Sequence, residues 1–280
     1  MSNLVTTEWL DEHLADATIQ TIDASWHMPA TKRNAAAEFA KAHIPGARFF
    51  DLDAGSDPDT TLPHMLPSPE KFAHDMKKLG LSDAKHVVVY DSAGLFSAAR
   101  LWWMLKVYGH KQVSVLDGGL PKWKLENRPL SNETGASIEP RHFTPRLAAD
   151  KVKSLRDVAA AIITSHAQLA DARSPTRFRG EEPEPRPGVS PGHMPGACNV
   201  HYATLLNADG TMKNQPALRD AFESAGIDLA KPIITTCGSG VTAAILALAL
   251  AELGHDQTSL YDGSWTEWGS SGQAIATGSA

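Results

Sequence analysis

The chain repeats itself. HIPGA at His43–Ala47 returns as HMPGA at His193–Ala197, and LDGGLPKW at Leu116–Trp123 returns as YDGSWTEW at Tyr261–Trp268. The second pair is offset by 145 residues, as are Gly109 and Gly254, which each close an apolar run of helical character. IDAS at Ile22–Ser25 likewise answers ADARS at Ala170–Ser174. Four matched islands in one order mark a duplicated domain, and 280 residues is the length that two ordinary domains require. The stretch from Glu126 to Pro145 lacks apolar periodicity and holds Pro129, Pro140 and Pro145, the composition of a connector. Repeats at 1–138 and 147–280, with a linker at 139–146, are the expected organisation.

Each half alternates short apolar runs with helical stretches. Val87–Tyr90 precedes a Gly-containing loop and the helical stretch Ser97–Tyr108, and Val113–Leu116 follows before Asp117-Gly118-Gly119. In the second half, Pro232–Thr236 reads as a strand, Thr242–Leu253 as a helix, and a short strand ends at Tyr261. Continuous apolar strands separated by helices predict an α/β fold in which each repeat is a parallel sheet flanked by helices. Loops at the C-terminal ends of such strands are where sites form. Gly46 and Gly196 are expected to give tight turns their backbone freedom. Trp123 and Trp268 are expected to anchor the two cores, and Trp102 and Trp103 to pack.

Charge and composition exclude several functions. Lys and Arg number 26 against 32 Asp and Glu, a formal net charge of −6. With no basic run, nothing marks a nucleic-acid or anionic-membrane partner. The longest apolar stretch, Val241–Ala251, is about half of the roughly 20 residues a bilayer span needs. The opening MSNLVTTEWLDEHL has neither a basic flank nor an apolar core, so a cytoplasmic protein is expected. Two cysteines, Cys198 and Cys237, cannot build a disulfide framework or a zinc cage. Without a P-loop, HExxH or CxxC pair, no metal or organic cofactor is expected.

The sharpest local feature is TTCGSGVTAA, Thr235–Ala244. Cys237 follows an apolar strand and precedes an Ala-rich helix, and Gly238 and Gly240 let the backbone curl. Such a loop aims several N–H groups at one point beside the positive end of a helix, where a thiolate is stabilised as a nucleophile. The first half places Asp91 where the second has Cys237, in a loop one residue longer. A carboxylate cannot do thiol chemistry, so one half is expected to be active and the other to be scaffold. Cysteine phosphatases use a similar loop but need an arginine near its end. Ala243 and Ala244 stand there instead. Cys198 is expected to be a bystander.

With these motifs and FRGEEPEPRPG at Phe178–Gly188, nearly the whole chain resembles the rhodanese superfamily of sulfurtransferases in its tandem form. The loop CGSGVTA is similar to that of its mercaptopyruvate-using members, whereas thiosulfate-using members carry cations after the cysteine. The resemblance implies two rhodanese-like domains and transfer of sulfur from 3-mercaptopyruvate, through a Cys237 persulfide, to a thiol such as thioredoxin or to cyanide, with release of pyruvate. A thiosulfate sulfurtransferase and a persulfide carrier without turnover are the alternatives. Arg177 and Arg186 match the family's arginines for the substrate carboxylate, although spacing alone would equally make them partners of Glu181, Glu182 or Glu184. The loop residues Gly238, Gly240, Val241 and Thr242 fall on the substrate-binding side. Ser239, His64 and Asp53 match a proton relay, with Asp51 open as an alternative carboxylate. Its operation needs His64, a first-repeat residue, to reach the loop of the second. Arg179 is expected to serve a structural pair.

Overall fold

Val87–Val89 and Ile233–Thr236 are buried along their whole length, and each lies inside a parallel sheet. The computed structural model describes residues 2–133 and 142–279. The start of the expected linker, residues 139–141, therefore lies outside the described residues. Among those described, ten strands form two five-stranded sheets.

The first sheet contains β1 (Leu4–Val5), β2 (Ile19–Asp23), β3 (Arg48–Phe49), β4 (His86–Tyr90) and β5 (Val113–Leu116) in the order β1-β5-β4-β2-β3. The second contains β6 (Val152–Lys153), β7 (Gln168–Asp171), β8 (Ala197–Asn199), β9 (Ile233–Thr236) and β10 (Thr258–Tyr261) in the order β6-β10-β9-β7-β8. The two orders are the same pattern, so the repeat seen in the sequence is a repeat of topology. The strands of both sheets pair in parallel; Ile22 aligns with Val89, and Ala170 with Thr235.

The helices of the first half are α1 (Thr7–Glu12), α2 (Ala35–Lys41), α3 (Pro69–Lys78), α4 (Ala98–Val107) and α5 (Gly119–Leu125). Those of the second are α6 (Leu155–Thr164), α7 (Pro175–Arg179), α8 (Gln215–Ser224), α9 (Ala243–Glu252) and α10 (Ser264–Trp268). Two kinds of sequence build them. The α3 and α8 helices bury one stripe, Phe72 with Met76 and Leu218 with Phe222, at the four-residue spacing of an amphipathic helix. Helix α9 reads AAILALALAE and buries every residue from Ala243 to Leu250, as an all-round apolar helix must. Both α4 and α9 start directly from the loop that follows the central strand of their sheet.

Sharp starts come from capping. Ser68 and Asn214 accept N–H bonds from Lys71 and Ala217, and Ser154 with Asp157 forms a reciprocal box. Trp123 and Trp268 are both buried, and their indoles donate to Pro129 O and Ala274 O. The described part of the linker is held to the first half: Phe143 packs edge-on against Phe72 at 5.6 Å, and Arg146 N–H donates to Tyr108 O.

The chain forms two units that exchange short segments. The first comprises residues 1–58, 67–147 and 207–212, and the second 59–66, 148–206 and 213–280. His64 thus belongs to the unit that holds Cys237, although its sequence position is in the first repeat.

Candidate active site

Because the second sheet is parallel, β7, β9 and β10 bring their C-terminal ends to one edge, and the residues that follow them meet there. Cys237 follows β9, Arg173 follows β7, and Asp262 follows β10. Cys237 is 2% exposed.

The cysteine loop is fixed from outside by α10. Trp265 N–H donates to Cys237 O at 2.9 Å, and Thr266 N–H and Oγ1 both donate to Gly238 O, at 2.9 and 2.6 Å. In a trans peptide the carbonyl and the next N–H point in opposite directions. Drawing these two carbonyls toward α10 therefore turns the N–H groups of Gly238 and Ser239 away from it. Ser264 Oγ accepts the Cys237 N–H at 3.3 Å and itself donates to Tyr261 O at 2.8 Å.

The first repeat shows what such a loop holds. Asp91 takes the place of Cys237, and its Oδ2 accepts the N–H groups of Phe96, Ser97 and Ala98 at 2.8, 2.9 and 2.8 Å. Ala93 N–H donates to Oδ1 at 2.8 Å. The residues corresponding to Phe96, Ser97 and Ala98 in the second loop are Val241, Thr242 and Ala243. Leu120 N–H donates to Asp91 O, as Trp265 does to Cys237 O. This loop geometry is a cradle for an anionic side chain.

Of the residues singled out in the sequence, the second unit brings together Cys237, Gly238, Ser239, Gly240, Val241, Thr242, His64 and Arg177. His64 Nδ1 and Ser239 Oγ are hydrogen-bonded at 2.8 Å, and both residues are buried. His64 has φ +59°, a left-handed backbone that costs free energy for a residue with a Cβ. Arg186 lies on the same Pro- and Glu-rich loop as Glu184 and is half-buried. Asp53 belongs to the first unit, where both its oxygens accept from the Trp26 indole N–H at 3.1 and 3.2 Å. Asp51 accepts the N–H groups of Asp53 and Ala54, so it caps the local turn.

Glu184 answers, for Arg177, the choice of partner that spacing left open. It is nearly buried and binds two arginines: Arg173 Nη1 donates to Oε1 at 2.9 Å, and Arg177 reaches both oxygens through Nε and Nη2. Arg173 is fully buried, forks onto Asp171 and lies 4.4 Å over the Trp265 ring. Burial opposes its charge, but Asp171 and Glu184 outweigh that and hold the guanidinium above its ordinary range. Arg179 pairs with Glu181 at 2.6 and 2.7 Å.

Three contributors escaped the sequence reading: Asp262, Ser264 and Thr266. All fall inside YDGSWTEW, whose recurrence marked it as important without separating turn-forming residues from residues serving the loop. Among the described residues, no group of three or more His, Cys, Asp or Glu is placed to hold a metal ion. No helix among them is long and apolar enough to cross a membrane.

Two parallel sheets of one topology, with a buried cysteine in the loop after the central strand of the later one, define a known class. The description "Rhodanese-like domain" matches residues 6–126 and again 154–271, and the chain belongs to the rhodanese family. The 3-mercaptopyruvate sulfurtransferase of Escherichia coli K12 is 45% identical over 266 residues, covering 95% of this chain and 94% of that protein. The human 3-mercaptopyruvate sulfurtransferase is 42% identical over 271 residues, covering 95% and 91%. The crystal structure of SseA, a 3-mercaptopyruvate sulfotransferase from Escherichia coli, matches with a TM-score of 0.87 at 43% identity, over 95% of this chain and 99% of that one.

Proposed function

We propose that the protein is a 3-mercaptopyruvate sulfurtransferase whose nucleophile is Cys237, within the functional boundaries 1–138 and 147–280 joined by 139–146. The observation that carries the mechanism is the Asp91 cradle: the repeat's own loop receives a negative charge at the position where the second repeat carries a thiol. The near-complete coverage of the mercaptopyruvate-using relatives supports the choice of donor. So does the loop itself, since Gly238 and Ser239 offer no charge to a thiosulfate dianion.

The Cys237 thiolate attacks the donor sulfur. A bond forms between the two sulfurs, the carbon–sulfur bond breaks, and its electron pair passes to the enolate of pyruvate. The proton of the donor thiol is taken through Ser239 and His64 and delivered to the enolate carbon, releasing pyruvate. Asp53 is assigned as the relay's carboxylate, with Asp51 as the alternative. Arg177 and Arg186 bind the donor carboxylate, a planar match for guanidinium. The N–H groups of the loop from Gly238 through Gly240, Val241 and Thr242 stabilise the persulfide anion that remains. An acceptor thiolate such as that of thioredoxin, or cyanide, then attacks the outer sulfur and restores the Cys237 thiolate. Both thiols, Cys198 and Cys237, are free, which suits the reducing cytoplasm as the site of action.

Steady-state assay with 3-mercaptopyruvate and thiosulfate, reading pyruvate and transferred sulfur, tests the proposal. A kcat/KM favouring 3-mercaptopyruvate, lost in Cys237→Ser with the fold intact, is the expected result. Thiosulfate preference overturns the donor assignment. Sulfur uptake without pyruvate would make the protein a carrier, and turnover by Cys237→Ser would remove the nucleophile.

A further inference from the structure

The segment that carries His64 is anchored on the second sheet's edge. Leu66 N–H donates to Asp262 Oδ2 at 2.7 Å, and Asp262 is buried. Asp262 directly follows β10. The residues just after it hold the cysteine loop: Ser264 through the Cys237 N–H, Trp265 through the Cys237 carbonyl, Thr266 through the Gly238 carbonyl. One stretch of five residues thus grips the loop at its far end and the His64 segment at its near end.

The first unit contains the same construction with the chemistry removed. There Asp117, the counterpart of Asp262 at the 145-residue offset, accepts Met212 N–H through Oδ1 at 2.7 Å. Met212 ends the exchanged segment 207–212, as Leu66 ends 59–66. Two residues before each anchored N–H the backbone is left-handed, at Gly210 with φ +80° and at His64 with φ +59°. Gly210 also seats against the Asp91 loop, since a Cβ on Gly94 would meet Gly210 Cα at 3.6 Å. Glycine adopts this conformation freely and histidine does not. The second unit therefore retains a strained imidazole where its sister is satisfied with glycine, a pattern that marks a functional position.

We propose that Asp262 is a positioning residue for sulfur transfer: through the Leu66 N–H it sets the His64 imidazole against Ser239 in the left-handed conformation the relay requires. The inference rests on the reading of His64 and Ser239 as the proton relay. A carboxylate acceptor suits the task because a charged acceptor roughly doubles the strength of a backbone hydrogen bond, and a displacement of about 1 Å at a reacting group can cost 10²-fold in rate.

The test is kinetic, on the full chain, with 3-mercaptopyruvate as donor and pyruvate as readout. Asp262→Ala is expected to lower kcat about 10- to 100-fold with KM nearly unchanged. Asp262→Asn keeps an oxygen for the Leu66 N–H and is expected to stay within about 3-fold of the parent, one bond's neutral-for-charged difference. Asp117→Ala removes the equivalent anchor of the first unit and is expected to leave both constants unchanged. In a His64→Ala background, Asp262→Ala is expected to add nothing, because the group it positions is gone. If Asp262→Ala fails to fold, Leu66→Pro deletes the same N–H from the other side and is expected to give the same kcat loss. Equal losses in the Ala and Asn variants, an undiminished effect in the His64→Ala background, or a change confined to KM overturns the proposal. Failure of the functional reading is distinct: the parent protein itself would then release no pyruvate.

Discussion

Arg177 lies so close to Gly238 that a Cβ at that position would meet its Nη2 at 3.1 Å. The absence of a side chain at 238 therefore does two things: it leaves the loop uncharged, and it makes room for the guanidinium beside the Cys237 loop. Gly238→Ala pushes Arg177 back, and KM for 3-mercaptopyruvate is expected to rise about 3- to 10-fold with kcat little changed, the signature of lost ground-state binding. An unchanged KM would show that Arg177 does not hold the donor. The pair Gly238→Arg with Ser239→Lys is expected to move preference toward thiosulfate, read as the ratio of kcat/KM for the two donors. A ratio that stays put would undo the charge argument.

Ser239→Ala removes the hydroxyl that joins His64 at 2.8 Å. Positioned proton transfer contributes about 10²- to 10⁴-fold, so a kcat loss near the lower end is expected with 3-mercaptopyruvate. Rapid-mixing measurement of pyruvate release checks it. A variant with parental kcat would place proton transfer elsewhere.

The duplication was legible because apolar runs, turn glycines and tryptophans recur at a fixed offset, and each has one dominant structural meaning. The cysteine loop was legible for the same reason, as a strand, glycines and a helix follow one another directly. What the sequence concealed depends on long-range placement. Nothing in the composition of LPHMLP reveals that it packs with residues nearly two hundred positions later. Glu181, Glu182 and Glu184 are equivalent on spacing, and only the fold selects Glu184 as the one buried between two arginines. Asp262 sits in a motif whose recurrence, carried by its glycine and tryptophan, says nothing of what the aspartate binds.

Arg173 is the keystone of the charged cluster behind the loop, and its removal strands the buried Asp171 carboxylate and leaves Glu184 with Arg177 alone. Arg173→Met is expected to destabilise the second unit by about 3–5 kcal/mol, the range for breaking a buried pair from one side. Urea unfolding followed by tryptophan fluorescence measures it, with Trp265 under the guanidinium as a local reporter. A loss below about 1 kcal/mol, the scale of a surface pair, would mean the cluster is solvated in practice.

The corresponding position in the first repeat is Ser25, so Asp23, the counterpart of Asp171, has no arginine there. Burial pushes the Asp23 carboxyl up to about 6, against which the bonds from Ser25 lower it only partly. The unfolded chain releases this proton near 3.8, so the folded state holds it more tightly. Its contribution to stability is complete below about pH 4 and disappears as the pH rises through about 6. Asp23→Asn is expected to remove that decline, seen as urea midpoints that no longer fall between about pH 4.5 and about pH 7. A decline of equal size in the variant would assign the titration to another group.

The exchange of residues 59–66 and 207–212 bears on how freely this architecture can be taken apart. If Cys237 and His64 act as proposed, a polypeptide starting at the later repeat would encode the thiol without that imidazole, and the earlier repeat alone would encode the imidazole without the thiol. On the proposed reading, duplication leaves each half carrying only part of the relay.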